Sequence, residues 1–283
     1  MAAPRLFRLR AEVAAAPSGP VAGRLPVVRV RVDTGVFHLD QLYDYSVPEK
    51  LSELIVPGVR VQLPFGNRET EGIVIDRVVN PEKAGTLKAI TKVLSPHPVA
   101  TSATFELIDR ASAFYCCNPW DLLRSAIPPR VASVDKELPV VDPASTNPKT
   151  KKSSVYQSFT PFSPPHEQIA EIIAEFNRSG SVLIVAPDEK DVDAIIKSLE
   201  AKFDSVLKLS SASSREERYR NFLLSMRLET SVVVGTRSAI FTPVRNLVAI
   251  IICKESSPNH YEIRSPGWSA STIAHMRSER EGV

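Results

Sequence analysis

Two strand-to-helix turns are the places where this sequence could bind a nucleotide phosphate. In an α/β fold, nucleotide hydrolysis needs a glycine-rich turn whose amides hold phosphate, a lysine for the β and γ oxygens and a hydroxyl for Mg²⁺. Residues 186–189 read Ala-Pro-Asp-Glu and residues 209–212 read Leu-Ser-Ser-Ala, so both turns lack glycine and lysine. Because two carboxylates in the first turn would repel phosphate, we predict that neither turn binds ATP.

The element that would hold the catalytic metal is also altered. An ATPase of this class ends a hydrophobic strand with Asp, which binds Mg²⁺. Here the hydrophobic run 248–252 is followed by Cys253, Lys254 and Glu255. The three cysteines (Cys116, Cys117 and Cys253) form no Cys-x-x-Cys pair, which argues against a zinc site. The sequence therefore predicts no catalytic residues, no metal and no cofactor.

Charge places further limits on function. The chain has 35 basic and 32 acidic residues, a net charge of +3. The N-terminal surplus comes mainly from arginines in residues 1–26, which we interpret as a disordered extension; the composition also fits an organelle transit peptide. Residues 27–98 are neutral, so DNA binding there would use a specific pocket and not a basic groove.

No apolar run is as long as a membrane span, which predicts a cytoplasmic protein with no membrane partner.

The elements that must position such sites fall into two regions. Residues 27–131 predict a small β-rich domain, because Val28, Val30 and Val32 alternate with arginines and turn signals separate further strands. A helix at 104–125 completes this domain. Residues 132–165 are rich in Pro, Ser, Thr and Lys and predict a linker. Residues 166–283 alternate helical and continuously apolar segments, which predicts a doubly wound α/β lobe, with the tail 268–283 expected to fray.

The order of several motifs resembles the PriA family of primosomal replication-restart proteins. The matching segments are 42–49 (LYDYSVPE), 57–61 (PGVRV), 63–68 (LPFGNR), 72–74 (GIV), 87–90 (LKAI), 93–94 (VL) and 235–243 (GTRSAIFTP). The resemblance covers 27–130 and 181–265. It implies a DNA 3′-end-binding domain followed by the first RecA-like helicase lobe, here in a degenerate form. The family's winged-helix region is reduced to 132–165, and its second lobe and zinc-binding insertion have no counterpart.

The resemblance also implies which residues contact DNA. The 3′-end pocket falls on Tyr43, Asp44, Gly66 and Lys88, with Tyr in place of the family's usual Phe at position 43. The Thr-Arg-Ser turn of such helicases faces the nucleic-acid track, which implies backbone contacts by Thr236 and Arg237. The alternative for Arg237 is a loop held to local carbonyls.

The chemistry of these pocket residues suits a terminal nucleotide. Tyr43 can stack on any base, and Asp44 can accept a hydrogen bond from a free 3′-hydroxyl. Gly66 permits close approach of the backbone, and Lys88 can pair with phosphate. The alternative reading of residues 43–45 is a strand-edge turn with two core aromatics.

Three functional hypotheses follow. The first is a non-catalytic protein that recognises 3′ ends at stalled or abandoned forks and promotes primosome assembly. Its partners by resemblance are forked DNA, the replicative helicase and its loader, and single-stranded DNA-binding protein, in the bacterial cytoplasm at the nucleoid. The second is an ATP-dependent 3′-to-5′ helicase, which the altered turns disfavour. The third is a non-functional remnant of a decaying gene.

Overall fold

The N-terminal half of the protein contains an antiparallel sheet. The computed structural model describes residues 19–140, 154–159 and 165–283, apart from the side chains of Pro165 and His166. Five strands form this sheet in the order β2-β1-β4-β3-β5. Their bounds are β1 Val27–Val32, β2 Leu42–Ser46, β3 Arg60–Phe65, β4 Arg68–Val78 and β5 Lys92–Val93.

The two edges of this sheet meet and close it into a barrel. The Ser46 amide donates to Lys88 O at 2.8 Å, and the Ile90 amide donates to Ser46 O at 3.1 Å. The segment at 88–90 thus covers the free edge of β2, while the adjoining β5 pairs with β3. The interior is filled by apolar side chains that alternate along the strands, which confirms the predicted β-rich domain. Fully buried examples are Val28, Val30, Val61, Leu63 and Val74.

Three helices follow the barrel: α1 Ser102–Tyr115, α2 Pro119–Ala126 and α3 Ala132–Glu137. The prediction of one helix over 104–125 was wrong, because the chain breaks between α1 and α2. Cys116 adopts a left-handed conformation with φ of 51°, which ends α1. Pro119 occupies the first turn of α2, where its missing amide hydrogen costs no hydrogen bond.

Parts of the predicted extension and linker are folded. Within 19–26, Ala22 is buried and its amide donates to Val47 O at 2.9 Å. Helix α3 lies inside the predicted linker and buries Val134 completely. One apolar side chain on a six-residue helix is too weak a pattern to detect in a polar sequence. Residues 1–18, 141–153 and 160–164 lie outside the described residues.

The C-terminal half contains a four-stranded parallel sheet in the order β7-β8-β6-β9. Its strands are β6 Ser181–Val185, β7 Val206–Leu209, β8 Val232–Gly235 and β9 Leu247–Ile252. The helices are α4 Pro165–Asn177, α5 Glu189–Leu199, α6 Arg215–Ser225 and α7 Ala270–Glu281, and a short hairpin joins β10 Tyr261–Glu262 to β11 Trp268–Ser269. The predicted parallel α/β sheet is therefore confirmed. None of the described helices has both the length and the apolar character that crossing a membrane requires.

Both faces of the parallel sheet are covered. Helices α4 and α5 pack on the face that carries Val182, Ile184 and Val234. The opposite face, which carries Leu183 and Val185, packs against α6 and α7 and belongs to the same core as α1–α3. The three helices that follow the barrel thus share one hydrophobic core with the α/β lobe.

The C-terminal tail is packed, so the expectation that it frays was wrong. Trp268 is buried, and its ring meets Phe241 edge-on with centroids 4.9 Å apart. Helix α7 buries Ile273 in the same hydrophobic core. The buried Arg277 pairs with Glu281 at 2.7 Å, so its charge is compensated inside the protein.

A buried polar network on Asp135 of α3 joins the barrel exit to the lobe. Its carboxylate accepts hydrogen bonds from Ser95 Oγ at 3.0 Å and from the Tyr219 hydroxyl at 2.8 Å. The backbone carbonyl of Asp135 lies 3.0 Å from His97 Nε2, and Arg227 donates to His97 Nδ1 at 2.9 Å. Because an arginine can only donate, Nε2 of His97 carries the hydrogen and the ring is neutral. Burial lowers the pKa of His97, which favours the same neutral form.

Candidate nucleic-acid interface

Tyr43 lies on β2 at one end of the barrel. Its side chain shares the inward face of β2 with Tyr45, because the two residues alternate with Asp44 along the strand. The Tyr43 hydroxyl donates to Leu39 O at 2.8 Å. Its ring meets Phe65 edge-on, with centroids 5.0 Å apart and planes at 79°. The partly buried ring is thus fixed at the barrel rim, where an aromatic face could stack on a base.

Gly66 and Lys88 lie together at the same end. Gly66 occupies the turn between β3 and β4 with φ of +60°, and nothing lies within 4 Å of the position of a Cβ. The Lys88 ammonium donates to Gly66 O at 3.3 Å. Since Gly66 directly follows Phe65, the contact partner of Tyr43, this turn brings Tyr43, Gly66 and Lys88 into one neighbourhood.

Asp44 faces the outer side of β2, opposite to Tyr43. Its carboxylate lies 3.5 Å from Arg29 Nε on the paired strand β1 and accepts a 2.6 Å hydrogen bond from the Glu82 amide. The side chain is only 11% exposed. A carboxylate can accept about four hydrogen bonds, so these two partners leave capacity for a ligand hydroxyl. The outward direction of Asp44 follows from strand alternation, but β2 was not predicted as a strand.

Arg29 and the Glu82 amide are contributors that sequence reasoning missed. The alternation of Arg29 with Val28 and Val30 predicts that it faces outward, but only the pairing of β1 with β2 places it opposite Asp44. The amide of Glu82 carries no side-chain signal at all, since any residue except proline supplies one.

The first strand-to-helix turn of the lobe is filled by its own charges. The Asp188 carboxylate caps α5 by accepting from the Asp191 amide at 3.0 Å. The Lys254 ammonium binds both carboxylate oxygens of Asp191 at 2.7 Å. Burial raises the pKa of the Cys253 thiol to about 12, so it stays protonated and is a poor metal ligand. Among the described residues, no group of three or more His, Cys, Asp and Glu side chains could hold a metal ion.

Thr236 and Arg237 follow β8 and point to different neighbours. Arg237 pairs with Glu262 at 2.6 Å and donates weakly to Asn259 O at 3.4 Å. Although burial opposes it, hydrogen bonds from the Arg264 amide and from Arg237 lower the pKa of Glu262, which keeps this pair ionised at neutral pH. Thr236 instead lines a cleft beside β7. Contact of either residue with DNA stays a prediction.

Comparison with known proteins gives this geometry a context. Residues 28–128 match the family model of the PriA 3′ DNA-binding domain. The probable replication restart protein PriA of Mycobacterium tuberculosis is 32% identical over 268 residues, which cover 86% of this chain and 41% of that protein. The corresponding protein of Mycobacterium leprae is 30% identical over 268 residues, with 85% and 41% covered.

A more distant relative matches a shorter stretch. The replication restart protein PriA of Thermotoga maritima is 29% identical over 116 residues, which cover 40% of this chain and 16% of that protein. This chain therefore spans about two fifths of the length of its mycobacterial relatives. Most of the chain is thus similar to PriA proteins, and its barrel with the first helices matches the model of the 3′ DNA-binding domain.

Proposed function

We propose that this PriA-like chain binds the 3′ ends of DNA strands at stalled or abandoned replication forks and does so without hydrolysing ATP. The observation that supports the proposal is that Tyr43, Gly66 and Lys88 lie near one turn of the barrel, within the range that matches a 3′ DNA-binding domain. In this proposal Tyr43 stacks on the terminal base whatever its identity. Lys88 exchanges its weak carbonyl contact for the last phosphate.

In this proposal Asp44 supplies the preference for an end over an internal nucleotide, which requires the terminal nucleotide to reach across β2 from the Tyr43 ring to the outer face that carries Asp44. A free 3′-hydroxyl can donate to the carboxylate, whereas an internal nucleotide has an ester oxygen there and a 3′-phosphate would bring a second anion. Because Arg29 and the Glu82 amide hold the carboxylate, it is already oriented before DNA binds. Such preorganisation reduces the entropy lost on binding.

The proposal of a non-catalytic lobe rests on the charges that fill the phosphate turn. A nucleotide phosphate would have to displace the Lys254–Asp191 pair and approach Asp188. The RecA-like assignment of the lobe, assembly of the primosome, and contacts with the replicative helicase, its loader and single-stranded DNA-binding protein are further parts of the proposal. These partners would place the protein at the nucleoid.

Binding of labelled fork DNA, followed by fluorescence anisotropy, tests end recognition. Forks with a 3′-hydroxyl should bind more tightly than otherwise identical forks with a 3′-phosphate. A charge-assisted hydrogen bond contributes about 1.5–3 kcal/mol, which is roughly ten- to a hundredfold in affinity. Asp44→Asn should lose most of this discrimination. Asp76→Asn is the matched control, since Asp76 is an exposed carboxylate opposite Arg29 on β4. Equal binding of both ends by the wild type would refute the proposal.

Phosphate release in the presence of ATP, Mg²⁺ and fork DNA tests the helicase alternative. We expect no turnover above the buffer background. Cys253→Asp should not restore activity, because residues 186–189 still lack a phosphate-binding loop. Turnover that increases with fork DNA would support the helicase alternative.

A further inference from the structure

A short loop at the barrel presents an exposed aromatic ring. Residues 33–41 connect β1 to β2 and contain one helical turn, Phe37–Leu39. Phe37 is 69% exposed and the adjacent Val36 is 40% exposed. A single exposed apolar side chain needs no explanation by itself. The position of this loop relative to the barrel pocket therefore decides what Phe37 can bind.

Two hydrogen bonds attach the loop to the residues of the pocket. The Tyr43 hydroxyl donates to Leu39 O at 2.8 Å. Arg68, which begins β4 directly after the glycine turn of the pocket, donates from its guanidinium to Thr34 O at 3.0 Å. Phe37 lies between these two anchored positions in the chain. Its backbone is thus held beside both Tyr43 and the glycine turn.

Further contacts fix the loop before any ligand binds. The Thr34 hydroxyl donates to Val36 O at 3.0 Å and accepts from the Val36 amide at 3.2 Å. On the other side of Phe37, the Asp40 carboxylate accepts from the Trp120 amide of α2 at 3.0 Å. An exposed ring on an anchored backbone loses little conformational entropy when a ligand covers it.

The chemistry of the Phe37 ring selects a nucleobase over the other parts of a DNA strand. The side chain has no polar atom, so it cannot bind phosphate or the sugar hydroxyls. Every base has a flat π-face that stacks on an aromatic ring. Because Tyr43 is assigned to the terminal base and Lys88 to the last phosphate, the base that Phe37 can reach is that of the next nucleotide along the strand.

We propose that Phe37 stacks on the base of the penultimate nucleotide, so that the site holds the last two nucleotides of a 3′ end. The inference rests on the proposed function and deepens it, since Tyr43 takes the terminal base and Phe37 the base before it. The ligand is accordingly a 3′ end whose last two bases are unpaired. The identity of these bases is not read, because stacking alone is indifferent to sequence.

Anisotropy of the full chain with two short single strands tests this second contact. Both strands end in a 3′-hydroxyl, and one lacks the penultimate base because that nucleotide is abasic. The wild type should bind the abasic strand about tenfold more weakly, as expected for the loss of one stacked base. Phe37→Ala should bind both strands alike, at the weaker affinity, and Phe37→Tyr should keep the difference. Phe114→Ala is the matched control, because Phe114 is 62% exposed and lies on α1, outside the barrel.

A fluorescent base gives a second readout. With 2-aminopurine at the penultimate position, stacking should quench the emission on binding to the wild type but not to Phe37→Ala. Circular dichroism should show that Phe37→Ala stays folded, since the replaced ring is largely exposed.

Three results would overturn the assignment of Phe37. The first is that Phe37→Ala retains the difference between the two strands, and the second is that Phe114→Ala abolishes it as well. The third is a wild type that distinguishes a 3′-hydroxyl from a 3′-phosphate but binds the abasic strand as tightly as the intact one, in which case end recognition stands without a second base. If the wild type ignores the chemistry of the 3′ end while only Phe37→Ala abolishes the effect of the missing base, Phe37 is a stacking residue and the end-recognition proposal fails.

Discussion

Replacing Asp135 with alanine tests whether the barrel and the lobe unfold as one unit. The change removes the acceptor of the Tyr219 and Ser95 hydroxyls, both of which are buried. Each orphaned hydroxyl costs about 1–3 kcal/mol, so the loss in the free energy of unfolding should be about 2–6 kcal/mol. The ion pair of Asp135 with Arg130 at 2.5 Å adds little, because Arg130 is one third exposed and can be hydrated.

Thermal unfolding followed by circular dichroism measures this loss. At roughly 2–4 °C per kcal/mol for chains of about 150–250 residues, the Tm should fall by roughly 4–24 °C in a single transition. Glu137→Ala is the control on the same helix, since it removes only an exposed ion pair with Arg220 and should leave the Tm close to wild type.

A double-mutant cycle isolates the network itself. Burial and the carboxylate of Asp135 raise the pKa of Tyr219 to about 12, so its hydroxyl remains a donor throughout the measurable range. Tyr219→Phe removes the group that Asp135→Ala leaves unpaired, so the double variant should lose less stability than the sum of the two single changes. Strict additivity, or two separate transitions in the wild type, would refute the reasoning.

Three further predictions follow from the fold. Burial lowers the pKa of His97, so on acidification the unfolded chain takes up this proton before the folded chain does. The free energy of unfolding should therefore be at its full value above pH 6.5 and should decline by up to about 1.4 kcal/mol per pH unit below it. His97→Gln should reduce the accompanying fall in Tm, whereas His275→Gln, at an exposed position, should not. Gly66→Ala should weaken binding of 3′ ends with only a modest loss in Tm, because φ of +60° costs alanine about 1–2 kcal/mol and no protein atom blocks a Cβ; Asn67→Ala is the control, and an unchanged Kd would remove Gly66 from the pocket. A protease site inserted at residue 147 should give two fragments that co-elute in gel filtration after cleavage, since α1–α3 share a core with the lobe; separate elution would contradict that shared core.

The sequence predicts the parallel sheet well because its strands are continuous apolar runs, such as 181–186, that have few alternatives to burial on both faces. It predicts β2 poorly, because the strand is only five residues long and its exposed first residue, Leu42, is apolar while its buried last residue, Ser46, is polar. Helix α3 was missed for a similar reason: its place in the core depends on Val134 and on the acceptor role of Asp135, both of which are long-range contacts.

The candidate interface could likewise be predicted only in part from the sequence. The residue types of the 3′-end pocket could be listed from the order of the motifs, but that order did not reveal that Tyr43 and Asp44 face opposite sides of a strand. The partners of Asp44 come from β1 and from the segment after β4, far apart in sequence.

The shared core of α1–α3 and the lobe has a consequence for how two DNA contacts would combine. When flexible tethers join binding modules, the second contact is set by an effective concentration that falls as the tether lengthens. Here the barrel passes into helices that are themselves part of the lobe's core, so the spacing between the barrel pocket and the surface of the lobe is fixed before DNA binds. A strand of matching span would engage both without further ordering of the protein, whereas a strand of another length would gain only one contact. The distance between a 3′ end and a neighbouring stretch of backbone would thus determine whether a DNA strand makes both contacts.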